Sequence, residues 1–461
     1  PSRMAEVLNR VIEKAFRGSA PAQINVPRDY WTQVIDIELP PIVRFERQGG
    51  GKEAIENAAK LLSKAKFPVI LSGAGVVLGG AIDECKKLAE KLDAPVCNGY
   101  QHNDSFPGSH PLAVGPLGYN GSKAAMELIS KADVVLALGT RLNPFSTLPG
   151  YGIDYWPKKA TIIQVDMNPD RIGLTKKVSV GICGDAKQVA QQILDKLSSD
   201  AGNTGREERK NLIHKTKSAW LQTLSGLDHE EDDPGTVWNK EARERDKDRM
   251  SPRQAWRAIQ DALPQDAIIS SDIGNNCAIG NAYPTFEKPR KYLAPGLFGP
   301  CGYGFPAILG AKIGCPDTPV VGFAGDGAFG ISMNEMSSCA REEWPAITMV
   351  IFRNYQWGAE KRNSILWFDD NFVGTELDPE LSYAKVANAC GLKGVTCKTM
   401  EETTKAIKQS CEDQKKGITT FIEIILNQEL GEPFRRDAMK KPVKVAGIKK
   451  EDMKKQPSLI S

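Results

Sequence analysis

The sequence predicts an α/β protein built from doubly wound parallel-sheet domains, and three observations predict it. Short apolar runs of strand length alternate with amphipathic helical patterns over residues 52–197, and the same rhythm resumes over 251–428. A strand–helix–strand alternation of this kind builds parallel sheets with helices on both faces. Predicted strands end in glycine-bearing turns, most conspicuously GDGAFG at Gly325–Gly330. At 461 residues the chain exceeds what a single core supports, so two or three domains are expected.

Residues 1–40 begin with a helical stripe of Met4, Val7, Leu8, Val11, Ile12 and Phe16, followed by the strand-like PAQINVPRDYW. Two elements cannot bury a core of their own. Pro1 is not an initiator Met, and the chain is expected to enter a domain part-way through. A linker bearing Pro and charge spans 41–51. In the unit 52–197, FPVILSGAGV, APVCNGY, ADVVLALGT, ATIIQVDMN and KVSVGICGDA read as strands, with helical patterns such as GKEAIENAAKLLSKA and AIDECKKLAEKL between them. GAGVVLGGA lacks full GxGxxG spacing and is expected to be structural. Residues 198–250 are charge-dense and read as a solvated connector, with Trp220, Leu221 and Leu224 on a helix crossing between domains.

In 251–428, Ser251, Pro252 and Gln254 supply an N-cap, a first-turn proline and a capping-box glutamine. Strands are expected at AIISSDIG, PVVGFAGDG, AITMVIFRN and TTFIEIIL, and helices at NEMSSCAREE, SYAKVANACG and EETTKAIKQSCEDQ. Residues 429–461 form a basic tail.

Composition narrows the function. Hydrophobic residues make up 41% and charged residues 25% of the chain, ordinary values for a globular protein. A net charge of +3, from 60 basic and 57 acidic residues, makes no case for nucleic acid. No apolar run approaches the length of a membrane span. Ten scattered cysteines without a CxxC pair point to a reducing cytoplasm. Four histidines, His102, His110, His214 and His229, leave little material for a His-based metal site.

The chemistry concentrates in the last unit. Asp326 on the Gly325–Gly327 turn and Asn354 in IFRNYQWG each follow a predicted strand, separated by one helix and one return strand. That spacing brings a carboxylate and a carboxamide together at the C-terminal edge of a parallel sheet, where open α/β sheets bind ligands. With the Gln356 backbone carbonyl they form a hard oxygen set suited to magnesium. The glycines allow backbone N–H groups to approach a diphosphate.

Taken with LFGPCGYGFPAILGAK at Leu297–Lys312, this run resembles the cofactor domain of thiamine diphosphate (ThDP) enzymes. The resemblance implies that Asp326 and Asn354 hold Mg2+ on the cofactor's diphosphate. It further implies that Gly274, Asn275, Asn276, Gly325, Gly327, Ala328 and Gly358 approach the diphosphate, with Gly299 and Cys301 beneath the cofactor's rings. Relatives generally carry a bulky apolar residue where Cys301 falls, so Leu297 or Phe298 is expected to assist, or the wedge is looser. Arg353-Asn354 stands where many relatives have Asn-Asn; only the second position ligates metal in the family. The central unit resembles a domain that holds FAD or ADP in some relatives and nothing in others, and residues 1–40 resemble the end of the pyrimidine-binding domain.

Further downstream, RNYQWGAEKRNSILWFDDNFVGTELDPELSYAKVANACGL and NQELGEPFRRDAMKKPV are similar to sulfoacetaldehyde acetyltransferases. The resemblance implies conversion of sulfoacetaldehyde and inorganic phosphate to acetyl phosphate and sulfite, in a homodimer or homotetramer with sites between subunits. Both reactants are anions, which makes Lys361 and Arg362 candidates for binding them, with Arg435, Arg436 and Lys440 as further cations. The glutamate that activates the cofactor in this family precedes the segment matched here, so the 461-residue chain alone is expected not to turn over. Two alternatives stay open at this point: a ThDP enzyme acting on a 2-oxo acid, and a non-catalytic nucleotide-binding subunit of the same fold.

Overall fold

The computed structural model describes residues 1–429 apart from Ser19, Pro40, 42–45, 227–243, Leu297 and 368–371. The basic tail and its cations Arg435, Arg436 and Lys440 lie outside the described residues.

Two six-stranded sheets carry the fold, and every strand pair in both is parallel. In the first, β1 (Pro68–Ser72), β2 (Val96–Asn98), β3 (Ala113–Pro116), β4 (Val134–Leu138), β5 (Thr161–Asp166) and β6 (Val180–Cys183) lie in the order β3-β2-β1-β4-β5-β6. Strands β1 and β4 are buried along their whole length, as continuous apolar runs between two helical layers must be. The helix Lys52–Lys64 buries Ile55, Ala58, Ala59 and Leu62 on one stripe. The helix Ala186–Lys196 buries Val189, Ala190 and Ile193 and is capped by Asp185, whose side chain accepts from the N–H groups of Lys187 and Gln188.

The second sheet contains β7 (Ile268–Ser271), β8 (Tyr292–Leu293), β9 (Val320–Gly325), β10 (Thr348–Arg353), β11 (Lys393–Cys397) and β12 (Thr420–Ile425), in the order β11-β12-β10-β9-β7-β8. The chain moves outward from β7 to β8 and then returns across β7 to β9, so the order reverses there. A crevice opens outside the carboxyl ends at such a reversal. The helix Pro252–Ala262 has the expected capping box, with Ser251 and Gln254 satisfying each other's backbone N–H. It buries Trp256 against Phe323 and Phe352, with ring centroids 4.8 and 5.3 Å away.

Several local expectations are revised. No strand forms in PAQINVPRDYW; a 3-10 turn at Arg28–Thr32 takes its place, and among the described residues no strand pairs with the segment. The helix Met4–Gly18 buries none of its residues, and Phe16 is 79% exposed. Strands β3, β8 and β11 have no counterpart in the sequence reading: β3 contains Gly115 and Pro116, β8 is two residues long, and β11 is a half-exposed edge. NEMSSCAREE contracts to a 3-10 turn and a single helical turn at Met336–Cys339, whereas Gly304–Gly314 forms a full helix.

The connector is more than a solvated run. Its helix Arg206–Gly226 buries Ile213, Trp220 and Leu224. Arg209 is buried as well, donating to the backbone carbonyls of Lys66, Leu92, Asp93, Gly202 and Thr204.

Candidate active site

The carboxyl ends of β7, β9 and β10 stand side by side, because Ser271 pairs with Phe323 and Phe352 pairs with Gly325. Three loops leave this edge together. They carry Asp272–Asn276, the Gly325–Gly327 turn, and Arg353–Gln356.

Asp326 opens the helix Asp326–Ser332 and is 1% exposed. Its Oδ1 accepts from the Gly327 N–H at 2.9 Å, and its Oδ2 accepts from the Tyr355 N–H at 2.7 Å and from Arg353 Nη1 at 3.0 Å. Tyr355 reaches this position with a left-handed φ of 60°, which turns its N–H back toward the carboxylate. Tyr383 Oη donates to the Asp326 carbonyl at 3.0 Å. Burial pushes the Asp326 carboxyl up to about 6, against the pull of Arg353 and the two N–H groups.

Asn354 is also buried. Asn275 Nδ2 and Asn276 Oδ1 are buried and have no hydrogen-bond partner among the described residues. A Cβ placed on Gly274 or Gly325 would meet nothing within 4 Å, so the space over both turns is open. Gly274 has a φ of 140°, a backbone that L side chains rarely adopt. The unpaired donor Asn275 Nδ2, set near glycine turns and a buried carboxylate, fits a metal-bound diphosphate: the anion's oxygens accept from amide N–H, and the metal takes carboxylate and carboxamide oxygens, whereas the unpaired Asn276 Oδ1 is itself an acceptor. Gln356 anchors the third loop by donating from Nε2 to the Gln428 carbonyl at 3.1 Å. Ala328 lies buried in the helix after the Asp326 turn, and Gly358 begins the helix Gly358–Trp367.

Asp272 is a buried carboxylate at this edge that the sequence reading did not single out. Its Oδ1 accepts from Ile273 N–H at 2.7 Å and Gly302 N–H at 3.1 Å, and its Oδ2 from Gly304 N–H at 2.7 Å. One carboxylate thereby clamps the Gly299–Gly304 segment to the end of β7. The signal lay in an acidic residue closing the strand run SSDIG. Trp256 Nε1 adds a bond to the Asn276 carbonyl at 2.6 Å, fixing the neighbouring turn from beneath.

Cys301 is exposed and Gly299 has a φ of 69°. Phe298 is 90% exposed, so the chain itself gives it no packing as a wedge; Leu297 lies outside the described residues.

Lys361 and Arg362 are both buried, and they serve different partners. Lys361 Nζ bonds Glu376 and, at 3.0 Å, Gln428 Oε1. Arg362 Nη1 donates to the hydroxyl of Tyr119, a residue of the first sheet's unit, which donates to Asn275 Oδ1 at 3.2 Å. Successive helical residues point about 100° apart. The two side chains leave the helix in different directions and meet different partners.

With this geometry in view, two family models match: "Thiamine pyrophosphate enzyme, central domain" over residues 55–193, and "Thiamine pyrophosphate enzyme, C-terminal TPP binding domain" over 272–424. The fold resembles the crystal structure of benzoylformate decarboxylase from Polynucleobacter necessarius, with a TM-score of 0.72 and 20% identity, covering 94% of this chain and 75% of that one. The chain is thus a thiamine diphosphate enzyme of doubly wound α/β architecture.

Its relatives specify the family. The chain is 78% identical over 456 residues to the "Probable sulfoacetaldehyde acetyltransferase" of Rhizobium meliloti (strain 1021), covering 99% of this chain and 77% of that protein. It is 75% identical to the sulfoacetaldehyde acetyltransferase of Roseovarius nubinhibens, covering 99% and 76%. The chain belongs to the sulfoacetaldehyde acetyltransferases and is a ThDP-dependent acyltransferase. Among the described residues no helix is long and apolar enough to cross a membrane.

Proposed function

We propose that the protein converts sulfoacetaldehyde and inorganic phosphate to acetyl phosphate and sulfite, with ThDP and Mg2+ seated at the carboxyl ends of β7, β9 and β10. The observation that carries the site is the placing of two buried oxygen-bearing side chains, Asp326 and Asn354, on adjoining strand ends. In this reading Asp326, Asn354 and the Gln356 carbonyl hold the metal. Gly274, Asn275, Asn276, Gly325, Gly327, Ala328 and Gly358 surround the diphosphate, and Gly299 and Cys301 lie under the rings.

When bound, ThDP supplies a nucleophilic carbon for the aldehyde and an electron sink that permits sulfite to leave. The chain's own residues place and enclose that chemistry. Asp326 stays oriented because Arg353 and Tyr355 hold Oδ2, leaving Oδ1 lone-pair capacity toward the metal. Asp272 holds the Gly299–Gly304 segment in place as a floor. Of the two neighbouring cations, Arg362 is the one linked to the Asn275 turn, and a planar guanidinium suits a tetrahedral oxyanion. We assign it, ahead of Lys361, to the sulfonate or phosphate. The assembly in this reading is a homodimer or homotetramer.

The test is an assay of the protein expressed from its complete gene with sulfoacetaldehyde, phosphate, Mg2+ and ThDP. Sulfite and acetyl phosphate should appear together and vanish when ThDP is omitted. Carbon dioxide released from a 2-oxo acid, with neither of those products formed, would replace this reading with a decarboxylase. For the metal set, Asp326→Ala should lose Mg2+-dependent ThDP binding, and affinity equal to the parent's would refute the assignment.

A further inference from the structure

We propose that Tyr119, contributed by the central unit, is a positioning residue that aims the Asn275 side chain at the cofactor's diphosphate. The inference rests on the cofactor seat proposed above. Three residues remote in sequence form one chain of bonds: Arg362 Nη1 donates to Tyr119 Oη, and Tyr119 Oη donates to Asn275 Oδ1 at 3.2 Å. The Arg362 guanidinium carbon also lies 5.6 Å from the centre of the Tyr119 ring. A cation bonded to the phenol oxygen polarises the hydroxyl and strengthens its onward donation.

The consequence falls on Asn275. An asparagine amide can rotate to present either its oxygen or its nitrogen. Here the oxygen is held by Tyr119, so the nitrogen faces elsewhere. Asn275 is 6% exposed and its Nδ2 has no partner among the described residues. A buried donor without an acceptor calls for one. Asn275 directly follows Gly274, over which the space is open, while Nδ2 itself is sealed from solvent. An anionic oxygen there completes the bonding of the amide, and the diphosphate is the anion that this turn would receive.

Tyr119 is built into place rather than resting there. Its carbonyl accepts from Asn281 Nδ2 at 3.2 Å and its N–H donates to the Phe145 carbonyl at 3.2 Å. Gly118 before it has a φ of 89°, and a Cβ there would fall 1.8 Å from the Phe145 carbonyl oxygen, so only glycine fits the loop. The ring packs with Ala278, Tyr100 and Leu148. The central unit thereby acquires a part in cofactor binding.

ThDP affinity in Mg2+, read by calorimetry on the purified protein without turnover, tests this in a double-mutant cycle. Tyr119→Phe keeps the ring and deletes the hydroxyl; it should weaken binding by about tenfold, the size of one hydrogen bond. Asn275→Ala should do the same, and the double variant should be no weaker than Asn275→Ala alone, because the phenol acts only through the amide. A Tyr119→Phe affinity within about twofold of the parent overturns the proposal, as do single effects that multiply in the double variant. Should Tyr119→Phe fail to fold, Arg362→Met in the same cycle carries the test, with the same criteria. A parent that binds no ThDP at all would instead overturn the cofactor seat itself.

Discussion

Arg353 Nη1 donates to Asp326 Oδ2 at 3.0 Å, and both side chains are 1% exposed. The same guanidinium donates to the carbonyls of Asp378 and Leu381, lies 3.9 Å from Glu423, and stacks over Tyr355 at 4.3 Å. This is where the sequence departs from the Asn-Asn pattern, and the structure gives the departure a role. Arg353 is a single counter-charge shared by two buried carboxylates, and it orients one of them.

Removing Arg353 should therefore cost stability. Arg353→Met leaves Asp326 and Glu423 buried without their counter-charge, a loss of about 3–5 kcal/mol. Arg353→Lys should recover little of it, since one ammonium cannot reproduce a planar, several-donor fork. Urea unfolding of the three proteins measures both; an Arg353→Met midpoint equal to the parent's would rule the role out.

Asp272 should matter to the floor of the site more than to the metal. Asp272→Ala strands three backbone N–H groups, at about 1–3 kcal/mol for each one left unsatisfied in a buried place. Hydrogen exchange should show Gly302 and Gly304 losing protection first, with ThDP affinity falling alongside. Unchanged protection at both would contradict the clamp.

The division of labour between Lys361 and Arg362 is open to kinetics. Arg362→Met should raise KM for sulfoacetaldehyde or phosphate by about tenfold or more, as expected for a lost charged contact. Lys361→Met should act mainly on stability, by releasing Glu376 and Gln428. A KM effect confined to the Lys361 variant would reverse the assignment.

Cys301 is exposed, and its thiol offers less bulk than the wedge residues of related enzymes. Cys301→Ala should leave ThDP affinity within about twofold. A collapse of binding, measured by the same calorimetry, would make Cys301 a real support for the rings.

His102 predicts a pH dependence. Burial, aided by Arg141, lowers it from 6.5 to about 4. The folded form binds its proton less readily than the unfolded form, so its stabilising contribution is complete above pH 6.5 and is lost as pH falls from 6.5 toward about 4. His102→Gln should flatten the stability slope in that window. Urea midpoints at the two ends of it decide the matter, and parallel slopes for the two proteins would exclude His102.

Much of the fold was legible because its signals are local. Apolar runs such as VVLAL and TMVIFR report buried parallel strands from their own residues, and Ser251 with Gln254 reports a helix start from four adjacent positions. Short or edge strands such as β8 and β11 carry too few apolar residues to register, and their pairing depends on neighbours elsewhere in the chain. The Asp326 and Asn354 turns were legible for the same local reason: each follows a strong strand.

What the sequence determined by itself, then, is the alternation that makes two parallel sheets, the family likeness, and the residues standing at the strand ends. Only the tertiary structure decided which polar groups meet: Arg353 with Asp326, Asp272 with Gly302 and Gly304, Tyr119 with Asn275 and Arg362, Arg209 with five carbonyls. The reason is physical. Strand and helix patterns are encoded by neighbours a few positions apart. A buried arginine or tyrosine has the same letter as an exposed one, and its partner is chosen by sheet order and by the cost of leaving a polar group unpaired inside the protein.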